Sequence, residues 1–326
     1  MKCKIKRFAI YGQEIHGFFG VWCGFFEKKG GTCCRVESLE ISNKFGIARD
    51  LHYLCRIMKG NQKINIEHPE AWELLVSIND KRVNYILFTP TVANSLIASE
   101  VATVDDSLQG LEDAIYNTPV LLNEYKRVRV VVHSQHFVLL PSQCSDEDAM
   151  SLVLHAFPGQ DEEAAVCTLP QHGVKIAYLM PRGMQAFLGR TFSYPMTYHH
   201  LMPLCEYFKE QNRDSDISRM FLNVERDKMD LAIYRKGEFL CANTYPYTNV
   251  QDAAYFAMNA WRTYSLDQLT DELQLMGDNE VRAAMTPELR KYVKYVMPAV
   301  YPAAAMRLGR NAMQAPLELI LLALCE

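Results

Sequence analysis

Two histidine pairs, His133/His136 and His199/His200, and one glycine-bearing stretch, "GMQAFLGRT" (183–191), are the residue types that carry chemistry most directly. Imidazoles ligate metals or move protons, and a glycine loop cradles phosphate. The spacing argues against both uses. Adjacent histidines face opposite ways on a strand and diverge by ~100° on a helix, so neither pair alone makes a chelate, and both read as ordinary polar or half-buried side chains. Five residues rather than four separate Gly183 from Gly189, and Arg190 stands where a phosphate loop has lysine, so this stretch reads as helix. The chain has no G-x-S-x-G elbow, no H-E-x-x-H pair and no Cys-His couple of nucleophilic spacing. Tyr194, Tyr198, Tyr245, Tyr247 and Tyr255 gather near expected loops and offer a recognition surface, although among 17 tyrosines chance and core packing account for most of that.

The elements that must position any site come from an internal repeat. "LLVSINDKRVNYILF" (74–88) aligns with "MFLNVERDKMDLAIY" (220–234): a short apolar strand, a polar turn and a second apolar strand. The next elements of the two copies agree in order. The first copy continues with a strand at 93–103, a helix capped by Asp105 or Asp106 and the β-branched run "RVRVVVH" (127–133). The second continues with "GEFLCANTY" (237–245), a helix capped by Thr248 or Asn249 and the strand "ELQLMGD" (272–278). Both halves read β-β-β-α-β. The first half then adds "HFVLLP" (136–141) as a hairpin partner, a helix over "DEDAMSLVLHAF", a strand pair at "AAVCTL" and "VKIAYLM", and two helical stretches. The polar run "EQNRDSDIS" (210–218) is the expected boundary, giving lobes at 71–215 and 216–326. Periodicity leaves the apolar tail "PLELILLALC" (316–325) open between strand and helix.

Composition bounds the function. With 326 residues, 49% of them hydrophobic, a large core is expected, and a formal charge of −4 offers no general attraction for nucleic acid or anionic lipid. The tail is about half the ~18–20 apolar residues that span a bilayer, so no membrane association is expected. Ten cysteines without a C-x-x-C pair suit reduced thiols and a cytoplasmic protein. Residues 1–57 differ, with five of those cysteines and ten Lys/Arg against five Asp/Glu. Residues 1–70 are taken as an N-terminal extension, either a real segment, with or without fixed structure, or an artefact of start assignment with translation beginning at Met58; both stand.

The duplicated halves resemble the superfamily of actin, sugar kinases and heat-shock ATPases. More closely, residues 221–261, "LQLMGD" (273–278), "VVVHSQHFVLLPSQ" (130–143) and the terminal "PLELILLALCE" resemble an uncharacterised bacterial family, domain of unknown function family 3822. The resemblance covers roughly 71–326 and implies an α/β, two-lobed actin-like ATPase (ribonuclease H-like) fold with mixed sheets. In ATP-using members each hairpin turn carries an Asp-x-Gly type motif, in which the acid positions magnesium and glycine bares the backbone to phosphate. The matching positions here are Ser77 and Asn79 in the first hairpin and Asn223 and Glu225 in the second. Neither hairpin keeps acid and glycine, and a carboxylate at Glu225 repels a triphosphate by about 1 kcal/mol per unit charge at 4 Å in water. Asp80 and Asp227 are nearby acids but also ordinary turn residues. Gly277, a single glycine in "MGD", is a weak match to the paired glycines that hold adenosine.

The expected function is therefore non-catalytic: a binding or scaffold protein with degenerate phosphate turns, no cofactor, no metal, and an unknown protein partner or a second copy of itself. The alternatives are an ATP-dependent enzyme with displaced nucleotide ligands, and an accessory factor for RNA modification.

Overall fold

The structure, a computed structural model, describes residues 66–79, 82–103, 105, 107–159, 161–213 and 215–325. Met58, the cysteines before it, Asp80 and Asp106 lie outside the described residues, which all belong to one compact unit, Cys55–Glu326.

Two five-stranded mixed sheets repeat one plan. In the first, β1 (Glu73–Asn79), β2 (Arg82–Phe88) and β3 (Ile97–Ala102) run antiparallel in turn, helix α1 (Leu108–Tyr116) follows, and β4 (Arg127–Val132) returns parallel to β1. In the second, β9 (Ser218–Val224), β10 (Lys228–Arg235) and β11 (Glu238–Pro246) are followed by α5 (Val250–Thr263), by β12 (Glu272–Gly277), parallel to β9, and by α6 (Asn279–Leu289). The edges β8 (Met196–His199) and β13 (Tyr295–Pro298) complete the orders β3-β2-β1-β4-β8 and β11-β10-β9-β12-β13. Strands β1, β4 and β9 are mostly apolar at their centres and buried over nearly all their length, as central strands covered on both faces must be.

One insertion departs from the expected pairing. β5 (Phe137–Pro141) does not pair with β4; it joins β7 (Val174–Pro181) and β6 (Glu162–Leu169) in a separate sheet of order β5-β7-β6, backed by α2 (Asp146–Ala156). Proximity in sequence suggested the hairpin, but β4 already has β1 and β8 on its two edges and has no free edge to offer. The helix caps also need one correction. Ser107, rather than Asp105, caps α1 by accepting from the Gly110 N–H, and the Asp105 carboxylate in turn holds the Ser107 hydroxyl. Asn249 caps α5, and "GMQAFLGRT" forms helix α3 (Met184–Thr191).

Helix α4 (Leu201–Gln211) lies between the sheets. It touches β6 on one side and β10 and β11 on the other, and Phe208 stacks on Phe221 of β9 with centroids 4.3 Å apart. The tail is a helix, α7 (Leu317–Leu324), apolar except for Glu318 in its first turn and accordingly packed against β1 and α4. Turns at Ala303–Leu308 and Arg310–Gln314 lead to it, tied to the first lobe where the Asn94 and Leu96 N–H groups donate to the Arg307 and Leu308 carbonyls. Residues 303–324 thus belong physically with the first sheet, although the sequence boundary put them in the second lobe. Buried Arg129 on β4 secures the helix end: it pairs with Glu73 at 3.0 Å and donates to the Leu322 and Cys325 carbonyls, which a helix C-terminus leaves without partners.

Candidate functional site

The two hairpins face each other, and side chains from four elements meet between them. Ser77 lies near the end of β1, and His133 follows β4, placed beside it because the His133 N–H donates to the Ile78 carbonyl. Lys228 opens β10 directly after the second hairpin turn. Glu318 comes from the first turn of α7. The Ser77 hydroxyl donates to Glu318 Oε1 at 2.8 Å, His133 Nε2 sits 3.2 Å from that oxygen and 3.0 Å from Ser77 Oγ, and Lys228 Nζ is 2.7 Å from His133 Nδ1. Lysine only donates, so Nδ1 accepts and the ring's proton lies on Nε2, aimed at Glu318. A chain of donors therefore runs from the second lobe into the first.

Directly beneath, Asp230 of β10 collects three donors. His200 Nε2 (3.1 Å) and the Thr244 hydroxyl (2.9 Å) reach one oxygen, and Asn223 Nδ2 (3.1 Å) reaches the other. His200, between β8 and α4, stacks on His133 with centroids 4.7 Å apart and planes 10° from parallel, and His199 packs against it at 4.3 Å. His199 donates from Nε2 to the Ser134 carbonyl and accepts the Leu201 N–H on Nδ1. Both histidines are driven below the usual imidazole range by burial.

The charges are unevenly matched. Glu225, Asp230 and Glu318 surround the Lys228 ammonium. Burial alone would lower the Lys228 pKa, but these carboxylates outweigh it and raise it. Burial would likewise raise Asp230 and Glu318; His200 and Lys228 hold Asp230 down instead, and the hydrogen bonds from His133 and Ser77 bring Glu318 to about 2. Glu225 goes the other way. Burial pushes its carboxyl up to about 7, with Lys228 3.5 Å away opposing and the other two acids assisting.

Of the residues selected from sequence, Ser77, Asn223 and Glu225 come together here. Asn79 does not; its side chain accepts the Arg82 N–H across the first hairpin turn. Asp227 supports the second turn, its carbonyl accepting the Tyr247 N–H, while the Tyr247 hydroxyl donates to the Glu225 carbonyl. Gly277 is demanded by packing: its φ is +96°, and a Cβ there would overlap the Val224 carbonyl of β9. Gly277→Ala is expected to destabilise the fold by at least ~2 kcal/mol, seen as a lower urea midpoint. The tyrosines divide between the lobes rather than forming one surface. Tyr194 is 97% exposed beside the first sheet, whereas Tyr245 stacks on Phe256 in the second lobe.

Lys228, Asp230, Thr244 and Glu318 were not selected, and His133 and His200 were read as ordinary polar groups. A usable signal existed for two of them: Asp230 interrupts an apolar strand and Glu318 an apolar helix, and a lone buried acid requires partners.

Chemically the cluster is closed. Ser77, His133 and Glu318 have the composition of a hydrolase triad without its wiring, since serine and acid share Nε2 while Nδ1 takes a lysine proton. Ser77 is fully buried. Among the described residues no group of three or more His, Cys, Asp or Glu is arranged to hold a metal ion, and no helix is long and apolar enough to cross a membrane.

The profile of a family described as "Protein of unknown function (DUF3822)" matches residues 61–296. No curated protein matches the chain in sequence. Among solved structures, a Bacteroides thetaiotaomicron protein described as having an actin-like ATPase fold and unknown function superposes with a TM-score of 0.67 at 22% identity, over 80% of this chain and 100% of the other. The PilM–PilN type IV pilus biogenesis complex gives 0.48 at 11% identity over 79% and 100%, and the ethanolamine utilization protein EutJ from Carboxydothermus hydrogenoformans 0.38 at 9% over 83% and 98%. The first of these, with the duplicated sheets, establishes the actin-like ATPase fold expected from sequence.

Proposed function

We propose, from the premise that this chain belongs to the DUF3822 family and carries an actin-like ATPase fold, that it is a non-catalytic binding protein whose interlobe cleft has been given over to holding the lobes together. One observation carries this reading: the space between the hairpins is taken by the chain's own bonded side chains, Lys228 to His133 to Glu318 to Ser77. A nucleotide's phosphates would have to displace that network and then face Glu225, Asp230 and Glu318. The Asp230 and Glu318 carboxylates, with Glu225 partly ionised beside them, make a polyanion unfavourable by several kcal/mol in a partly desolvated cleft. The frame then serves as a scaffold, and its ligand is a protein, with a second copy of this chain the simplest candidate.

The test is thermal denaturation of the full chain with Mg-ATP and Mg-ADP. The expected melting temperature is unchanged, because a ligand at a hundredfold over its dissociation constant would add about 2.7 kcal/mol and be plainly visible. A saturable rise would replace this reading with that of an ATP-dependent enzyme.

A further inference from the structure

Glu318 presents a physical problem that the packing of α7 does not explain. It is the one charged residue in "LELILLAL", it is 7% exposed, and the helix needs no charge to bury its apolar surface. A buried carboxylate is costly unless donors receive it. The donors here belong to other parts of the chain, Ser77 on β1 and His133 after β4. Lys228 stands behind His133 and orients its ring.

We propose that Ser77, His133 and Lys228 form a carboxylate-binding site between the hairpins, filled by Glu318 of the chain's own C-terminal helix as a tethered ligand that a free carboxylate can replace. This rests on reading the cleft as filled by the chain's own side chains rather than by a nucleotide. The geometry specifies the ligand class. Two neutral donors, the Ser77 hydroxyl and His133 Nε2–H, converge on a single oxygen, and the cation adjoining them is Lys228, itself shared with Glu225 and Asp230. Exchanging one carboxylate for another leaves the charge sum unchanged, whereas phosphate adds negative charge to a cluster already rich in it. A cavity of about 40 Å³, lined by Asn79, Asp105, Ser107 and His133 among others, adjoins the site. That is room for a water or a few polar atoms beside His133.

The decisive variant is Glu318→Ala in the full chain, titrated with sodium acetate against sodium chloride at equal ionic strength. Acetate is expected to raise the melting temperature by several degrees, saturably, and only in the variant; inorganic phosphate is expected to raise it less. Adding Ser77→Ala should abolish the acetate response. Acetate acting no differently from chloride, or acting equally after Ser77→Ala, overturns the proposal. Should Glu318→Ala be insoluble in chloride, folding only in acetate supports the site. If it is insoluble in both, Glu318→Ser, which suits a first helical turn, takes its place in the same titration: a saturable acetate response supports the site and none overturns it. The two readings fail separately: a wild-type response to Mg-ATP overturns the non-nucleotide reading, whereas a variant silent to acetate overturns only this one.

Discussion

Lys228→Met is expected to destabilise the protein by ~3–5 kcal/mol, the usual result of removing one partner from a buried charge cluster. Methionine keeps the length and apolar stem of the side chain, so little packing is lost. What disappears is the ammonium that Glu225, Asp230 and Glu318 all face, and with it the donor to His133 Nδ1. Equilibrium urea denaturation reads the change as a lower midpoint at unchanged slope. Adding Glu225→Gln removes one of the carboxylates left behind and should recover ~1 kcal/mol, a coupling of the size expected for residues in contact. A loss below ~1 kcal/mol in the single variant would mean that Lys228 behaves as a solvated surface lysine. The donor chain between the lobes would then not hold them together.

The second large effect is expected at Asp230. Asp230→Ala leaves the Thr244 hydroxyl and the Asn223 amide without the acceptor they share, and leaves the His200 Nε2–H only the Thr244 hydroxyl oxygen, 3.0 Å away. Each unsatisfied buried donor costs roughly 1–3 kcal/mol, and partial relaxation brings the expected total to ~4 kcal/mol. Asp230→Asn is the finer probe. Its shape is unchanged, but its amide must turn an NH2 toward one of the three donors, so an intermediate loss of ~2 kcal/mol is expected. Equal stability of wild type and Asp230→Asn would show that the carboxylate's charge is not what these donors answer.

The legible part of this chain was the part governed by local pattern. Both hairpins followed from alternating apolar strands around "INDKR" and "VERDK", and repetition of the same element order exposed the duplicated fold. Ser77, Asn223 and Glu225 could be singled out because the family resemblance lays the two hairpins over the phosphate turns of ATP-using members. β5 and the tail were misplaced for a common reason: which edge a strand joins, and which lobe a helix covers, depends on the surfaces left open once everything else has packed.

By its sequence alone the protein was committed to two β-β-β-α-β halves and to hairpin turns lacking the acid and glycine of a phosphate grip, since turn chemistry and strand alternation act over a few residues. Only the tertiary structure decided what occupies the cleft. Ser77 and Glu318 are 241 positions apart, His133 and Lys228 95, and no short-range preference couples such residues. They meet because the buried acid of an apolar helix must find donors, and the folded lobes bring those donors to one place.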